Sequence, residues 1–190
     1  MNFMENKTFE AMASYAIACG AYRANVIRAD EIKTDPAFRD MCRSNACGMY
    51  GKCYMCPPDL GDIEVLMAEV GTYDYALVYQ TVTELEDSYD FEGMMEAQRG
   101  LYAVTRKLRT YFANELGMPQ ALHLGAGGCG VCETCAKRTG EPCRSPELAT
   151  PSLEGYGVNV SELARAAGMK YINGQDTVTY FGAVLFNGEA

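Results

Sequence analysis

Basic residues are scarce in this chain: 16 Lys and Arg stand against 25 Asp and Glu, for a formal net charge of −9. Affinity for phosphate backbones comes from Lys and Arg, so nucleic-acid binding is not expected. Long apolar runs are missing too. None approaches the roughly 18 residues that mark a membrane-spanning helix. Residues 11 to 21 are mildly apolar, but Glu5 and Glu10 precede them where a secretory signal needs positive charge. These absences lead to the expectation of a cytoplasmic protein. Tryptophan is absent and His123 is the only histidine. No cysteine pair is followed by His, which excludes c-type haem attachment. Internal repeats and low-complexity tracts are also absent.

The composition that remains, 48% hydrophobic and 22% charged, is ordinary for a globular chain and excludes a mostly disordered one. The expectation is one metal-binding domain spanning 1–190. Periodicity predicts helices over 8–18, 36–42, 60–70, 91–116 and 159–168. The caps expected are Thr34 or Asp35, Asp59, and Asn159 with Glu162. Extended segments are expected at 22–27, 75–82 and 121–124. A hairpin is expected to join 170–172 to 177–186 through Asn173-Gly174. The strand at 75–82, the long helix and the strand at 121–124 suggest a right-handed crossover. The fold class is therefore an α/β (α+β) sandwich: a mixed sheet of four to five strands with helices and two cysteine-rich loops, 42–58 and 125–146.

What the sequence has in excess is cysteine: nine residues. In a reducing compartment, clustered thiols read as metal ligands or redox centres rather than as a disulfide framework. Eight of the nine fall into two quartets: Cys42, Cys47, Cys53 and Cys56, then Cys129, Cys132, Cys135 and Cys143. The second has the sharper pattern. Thiolates spaced C-x₂-C-x₂-C can take three corners of an iron–sulfur cube, with the fourth supplied by a later cysteine beside proline, as in Pro142-Cys143. Gly125, Gly127, Gly128 and Gly130 let the backbone approach closely and aim N–H groups at an anionic cluster. The first quartet is looser, and Cys53 is its least regular member. One alternative is zinc, with Cys53-x₂-Cys56 and Cys132-x₂-Cys135 sharing a tetrahedral site. Redox disulfides are another. The Gly125 to Gly130 segment also spells G-x-G-x-x-G, but cysteines occupy it and Gly140 and Pro142 limit any helix after it, against a dinucleotide site. The cysteine spacing also differs from the C-x₃-C-x₂-C of radical S-adenosylmethionine enzymes.

Three segments together resemble a family of small cysteine-rich proteins described as predicted metal-binding proteins of unknown function. They are Cys42…Cys47…Tyr50-Gly51…Cys56-Pro57-Pro58, Gly128-Cys129…Cys135…Pro142-Cys143-Arg144, and Pro151-Ser152-Leu153-Glu154…Gly157-Val158. The resemblance implies metal binding and no established reaction. The leading reading is an iron–sulfur protein with one or two 4Fe–4S clusters, working in electron transfer or as a redox partner. The alternatives are a structural zinc interaction module and an enzyme with an open cluster iron near His123 or Glu154. Cys19 reads as a packing residue. Arg144 is a candidate for offsetting cluster charge, or a surface residue. Glu154 and Tyr156 are candidates for a pocket beside the second group. The acidic run Glu84, Glu86, Asp87, Asp90 and Glu92 is a solvated loop or a docking face for a cationic redox partner.

Overall fold

Local capping chemistry starts the helices near the places the sequence marks. The computed structural model describes residues 3–188, so both ends of the expected 1–190 domain lie outside the described residues. Helix α1 is Phe3–Ala18, α2 Pro36–Met41, α3 Ile63–Val70, α4 Phe91–Asn114 and α5 Val160–Ala166. The strands are β1 Arg23–Arg28, β2 Tyr75–Glu84, β3 Leu122–Leu124 and β4 Thr177–Phe186. Asp35 caps α2 by accepting the Ala37 N–H, and Asn159 caps α5 by accepting that of Glu162. Helix α3 begins later than expected. Asp62, not Asp59, accepts the Glu64 and Val65 N–H groups, because Asp59 is engaged by Lys137. In the acidic run, Asp90 caps α4 and Asp87 accepts the Tyr89 N–H, so two of its five carboxylates serve local turns.

The α/β class, the four strands and the cysteine loops match the expectation. The strand pairing corrects it. Strand order is β1-β2-β4-β3 and every pair is antiparallel, so the sheet is not mixed. Strands β2 and β3 do run parallel to each other with α4 between them in sequence, as a crossover requires. They do not touch, because β4 inserts between them. The Asn173-Gly174 hairpin is also absent. The Asn173 amide donates to Lys170 O (3.1 Å) and Thr179 Oγ1 (3.0 Å), closing a loop. Tyr171 stacks on the Phe181 ring at 6.0 Å, which lays the preceding segment over the sheet face instead of along its edge.

The sheet separates two cores, and the two-residue period of β2 supplies both. Ala76 and Val78 join Leu66, Val70, Leu163, Ala183 and Leu185 beneath α3 and α5. Leu77 and Tyr79 join Met12, Leu101, Leu108, Phe112 and Val184 beneath α1 and α4. This explains why Tyr75 to Tyr79 is apolar without alternation. The Tyr79 ring lies across Gly182 of β4, and its hydroxyl is 2.7 Å from Thr105 Oγ1 on α4.

Candidate metal centre

Two irregular loops at one end of the sheet carry the cysteines. The first leaves α2 through a 3₁₀ turn at Cys42–Ser44. Asn45 accepts the Tyr50 N–H (3.0 Å), and Gly51 N–H donates to Pro57 O (2.9 Å), folding the loop back on itself. The second loop leaves β3 at Gly125. Its N–H donates to Pro151 O and its carbonyl accepts from Leu153 N, both at 2.9 Å. These bonds draw segment 151–154 alongside the glycines. Farther on, Asp35 N–H donates to Gly157 O (2.7 Å) and Asn159 N–H to Lys33 O (2.8 Å). The turn at Glu154–Tyr156 is thereby held beside α2 and the first loop.

Helix α4 fixes the glycine segment from below. Gln98 donates to Ala126 O (2.9 Å), and the Tyr102 hydroxyl donates to the carbonyls of Ala126 and Gly128. At Gly130 a Cβ would lie 2.0 Å from the Tyr102 ring, so only glycine permits this approach. The loops are joined by the Tyr54 hydroxyl donating to Glu141 O (2.7 Å) and by the Lys137–Asp59 ion pair.

These links regroup the thiols. Cys53 stands at the junction, lining the cavity of the second set while its thiol hydrogen-bonds Cys56. Cys53, Cys129, Cys132, Cys135 and Cys143 line one small cavity of about 20 Å³. Cys42, Cys47 and Cys56 line another of about 230 Å³, together with Gly127, Ser152 and Glu154. The two sets meet at Cys53 and Cys56, whose thiols hydrogen-bond each other. Among the described residues, no three His, Cys, Asp or Glu side chains are gathered tightly enough to hold a single ion; the donors ring spaces instead.

The thiols differ in electrostatics. The hydrogen bond from Cys56, with backbone N–H groups of Cys129 and Met55, pulls Cys53 down to about 6. The same bond and burial push Cys56 up. Burial raises Cys129, although the Thr150 and Val131 N–H groups oppose it. Cys42 is raised by burial, with the charges of Cys47 and Glu154 adding. Burial also raises Glu154.

A further polar residue, not marked by any motif, lies beside the thiols. Arg109 of α4 donates to Thr150 Oγ1 (3.1 Å), and the Thr150 N–H reaches Cys129. This partly buried guanidinium forms no ion pair among the described residues, and its charge acts on Cys129. The signal was a stripe of polar residues at helical spacing, Gln98, Tyr102, Thr105 and Arg109, beside the apolar stripe of α4.

Other candidates fall elsewhere. Arg144 pairs with Glu141 at 2.9 Å on the surface. Cys19 follows α1 and is half-buried against the α1/α4 core. Glu154 adjoins the first cysteine set, not the second. Tyr156 points to α3, donating to Glu69 Oε2 (3.0 Å). His123 lines neither cysteine cavity. It packs edge-on against Phe112 at 6.0 Å, and its Nδ1 has no partner among the described residues. Burial, with the Arg109 charge adding, lowers its pKa to about 3. A depressed folded value against about 6.5 unfolded means the unfolded state takes up the proton first. Its contribution to stability is therefore complete above about pH 6.5 and fades as pH falls toward about 3. Chemical denaturation across that window should show His123→Phe losing less stability on acidification than the parent chain; parallel curves would contradict this.

The comparisons agree with this chemistry at a coarse level. A family model described as "Predicted metal-binding protein (DUF2284)" matches residues 25–186. No curated protein and no solved structure matches the chain. Among the described residues, no helix is long and apolar enough to cross a membrane.

Proposed function

We propose that this chain, which belongs to the DUF2284 family of predicted metal-binding proteins, is an iron–sulfur protein that carries electrons to or from a redox partner. The observation that carries the reading is the set of five thiols, drawn from two loops, around one cavity. All-sulfur donors of this kind favour iron–sulfur clusters or zinc. Four of the five thiols Cys53, Cys129, Cys132, Cys135 and Cys143 would ligate one 4Fe–4S cluster, and Cys42, Cys47 and Cys56 would serve a second. Bound there, such a cluster supplies a one-electron carrier.

The chain's own groups have defined tasks in this reading. The N–H groups of Met55, Cys129, Val131 and Thr150 aim at thiol sulfurs and would lower the electron density on a cluster. Arg109 would offset its negative charge. Glu84, Glu86 and Glu92, the carboxylates of the acidic run without a capping or turn bond of their own, would steer a cationic partner. Neutralising all three should flatten the salt dependence of electron transfer to a cationic reductase, and an unchanged slope would move docking elsewhere.

Zinc is the second reading. It is favoured by the hydrogen-bond reach of Cys53 to both Cys56 and Cys135, members of the two C-x₂-C pairs. Anaerobic purification with iron, zinc and sulfide analysis separates the two. The iron–sulfur reading expects brown protein with about eight irons and eight sulfides per chain if both sites fill, or about four of each if one does. Colourless protein with stoichiometric zinc and no sulfide would overturn it.

A further inference from the structure

We infer that Glu154 is the fourth ligand at the three-thiol cavity, completing a Cys42, Cys47, Cys56 and Glu154 set that binds a cluster with one oxygen-ligated iron. The inference rests on the iron–sulfur reading. Its own support is geometric. The cavity of about 230 Å³ has walls that are otherwise apolar or neutral, including Phe38, Met41 and Tyr50, and the only titratable groups lining it besides Tyr50 are the three thiols and this carboxyl group. Three cysteines leave one corner of a four-iron cube without a thiolate, and the cysteine nearest by sequence, Cys53, is turned to the other set. Glu154 is placed there by the bonds that hold segment 151–157 against Gly125 and Asp35.

The carboxyl group is partly buried, and no cation forms an ion pair with Glu154 among the described residues. Its hydrogen-bonding neighbours are the Ser152 side chain and its own backbone. A carboxyl group drawn partly out of water either takes up a proton or gains a cation or metal, and the three thiols beside it supply the setting for the second. Iron accepts oxygen donors, and a non-thiolate ligand on one iron of a cluster raises its potential, as His does in Rieske centres.

The test uses the full chain, reconstituted without oxygen using iron and sulfide, and compares the parent with Glu154→Gln and Glu154→Cys. Iron, sulfide and the paramagnetic resonance spectrum after dithionite reduction are measured, together with the midpoint potential of each cluster. The parent is expected to hold about eight irons, Glu154→Gln about four, and Glu154→Cys about eight. In Glu154→Cys one cluster should shift to a more negative potential while the other keeps its spectrum. Circular dichroism checks that Glu154→Gln folds, and Glu154→Cys remains decisive if it does not. Eight irons with unaltered spectrum and potentials in both variants would overturn the inference and leave the iron–sulfur reading intact. So would a parent with four irons that Cys42→Ser leaves in place. A parent with zinc and no sulfide fails the iron–sulfur reading itself.

Discussion

On the iron–sulfur reading, serine in place of Cys129, Cys132 or Cys135 should remove the cluster proposed at the five-thiol set and loosen the loop that carries it. Ligation and folding are coupled where the site has no regular structure, and residues 126–135 contain no helix or strand. The regrouping of the thiols makes the series discriminating. Cys53→Ser should disturb the same spectroscopic signal as Cys135→Ser, although Cys53 is three residues from Cys56. Cys42→Ser and Cys47→Ser should spare that signal and affect only the other cavity. Cys19→Ser should change neither. Iron and sulfide per chain, read beside visible absorbance, score each variant. If Cys53→Ser behaves like Cys42→Ser, the loop cross-links do not govern ligand choice. Equal damage from Cys19→Ser would mean that thiol loss acts through the core.

The largest effect on stability away from the thiols is expected from Gly182→Ala. A Cβ at this position would lie 2.3 Å from Tyr79 Cζ, in the middle of the sheet. The ring cannot swing aside freely, because Tyr79 is fully buried and its hydroxyl is bonded to Thr105. Overpacking of this kind typically costs about 1–3 kcal/mol. For a domain of this size that lowers Tm by roughly 2–12 °C. Trimming Tyr79 to Val makes room, so the two substitutions should couple, with the double variant less damaged than the sum. An unchanged Tm for Gly182→Ala would show that β2 and β4 can separate locally at little cost.

Helices were readable wherever a local signal sets them. The α4 face repeats over many turns, and Asp35 and Asn159 cap in the expected way, because capping involves residues two or three apart. The insertion of β4 between β2 and β3 was not readable. Strand neighbours are chosen by long-range pairing, and the strong Asn173-Gly174 turn signal lost to the stacking of Tyr171 on Phe181. The cysteine loops were visible as loops, but the allegiance of Cys53 was not. It is decided by contacts such as Tyr54 to Glu141, 87 residues away. Arg109 drew no notice in the sequence, because the apolar stripe of α4 carries the helix signal and the partners of Arg109 lie about 40 residues away. Glu154 stood in a recognisable segment, yet which thiols it faces depends on bridges to Gly125 and Gly157 that join distant parts of the chain.

The position of β4 sets an order of assembly. This strand is the last of the described elements, yet it occupies an interior place in the sheet, and among the described residues β3 pairs with no other strand. During synthesis β1 and β2 can meet early, but β3 has nothing to pair with until residues 183–185 emerge. Until then the glycine segment is held through α4, by Gln98 and Tyr102, and through residues 151–153, but not through the sheet. The loop that carries Cys129 to Cys143 gains its anchorage to the sheet only once β4 has paired with β3. A chain cut before residue 183 would leave β3, and with it one root of the second cysteine loop, without a partner strand.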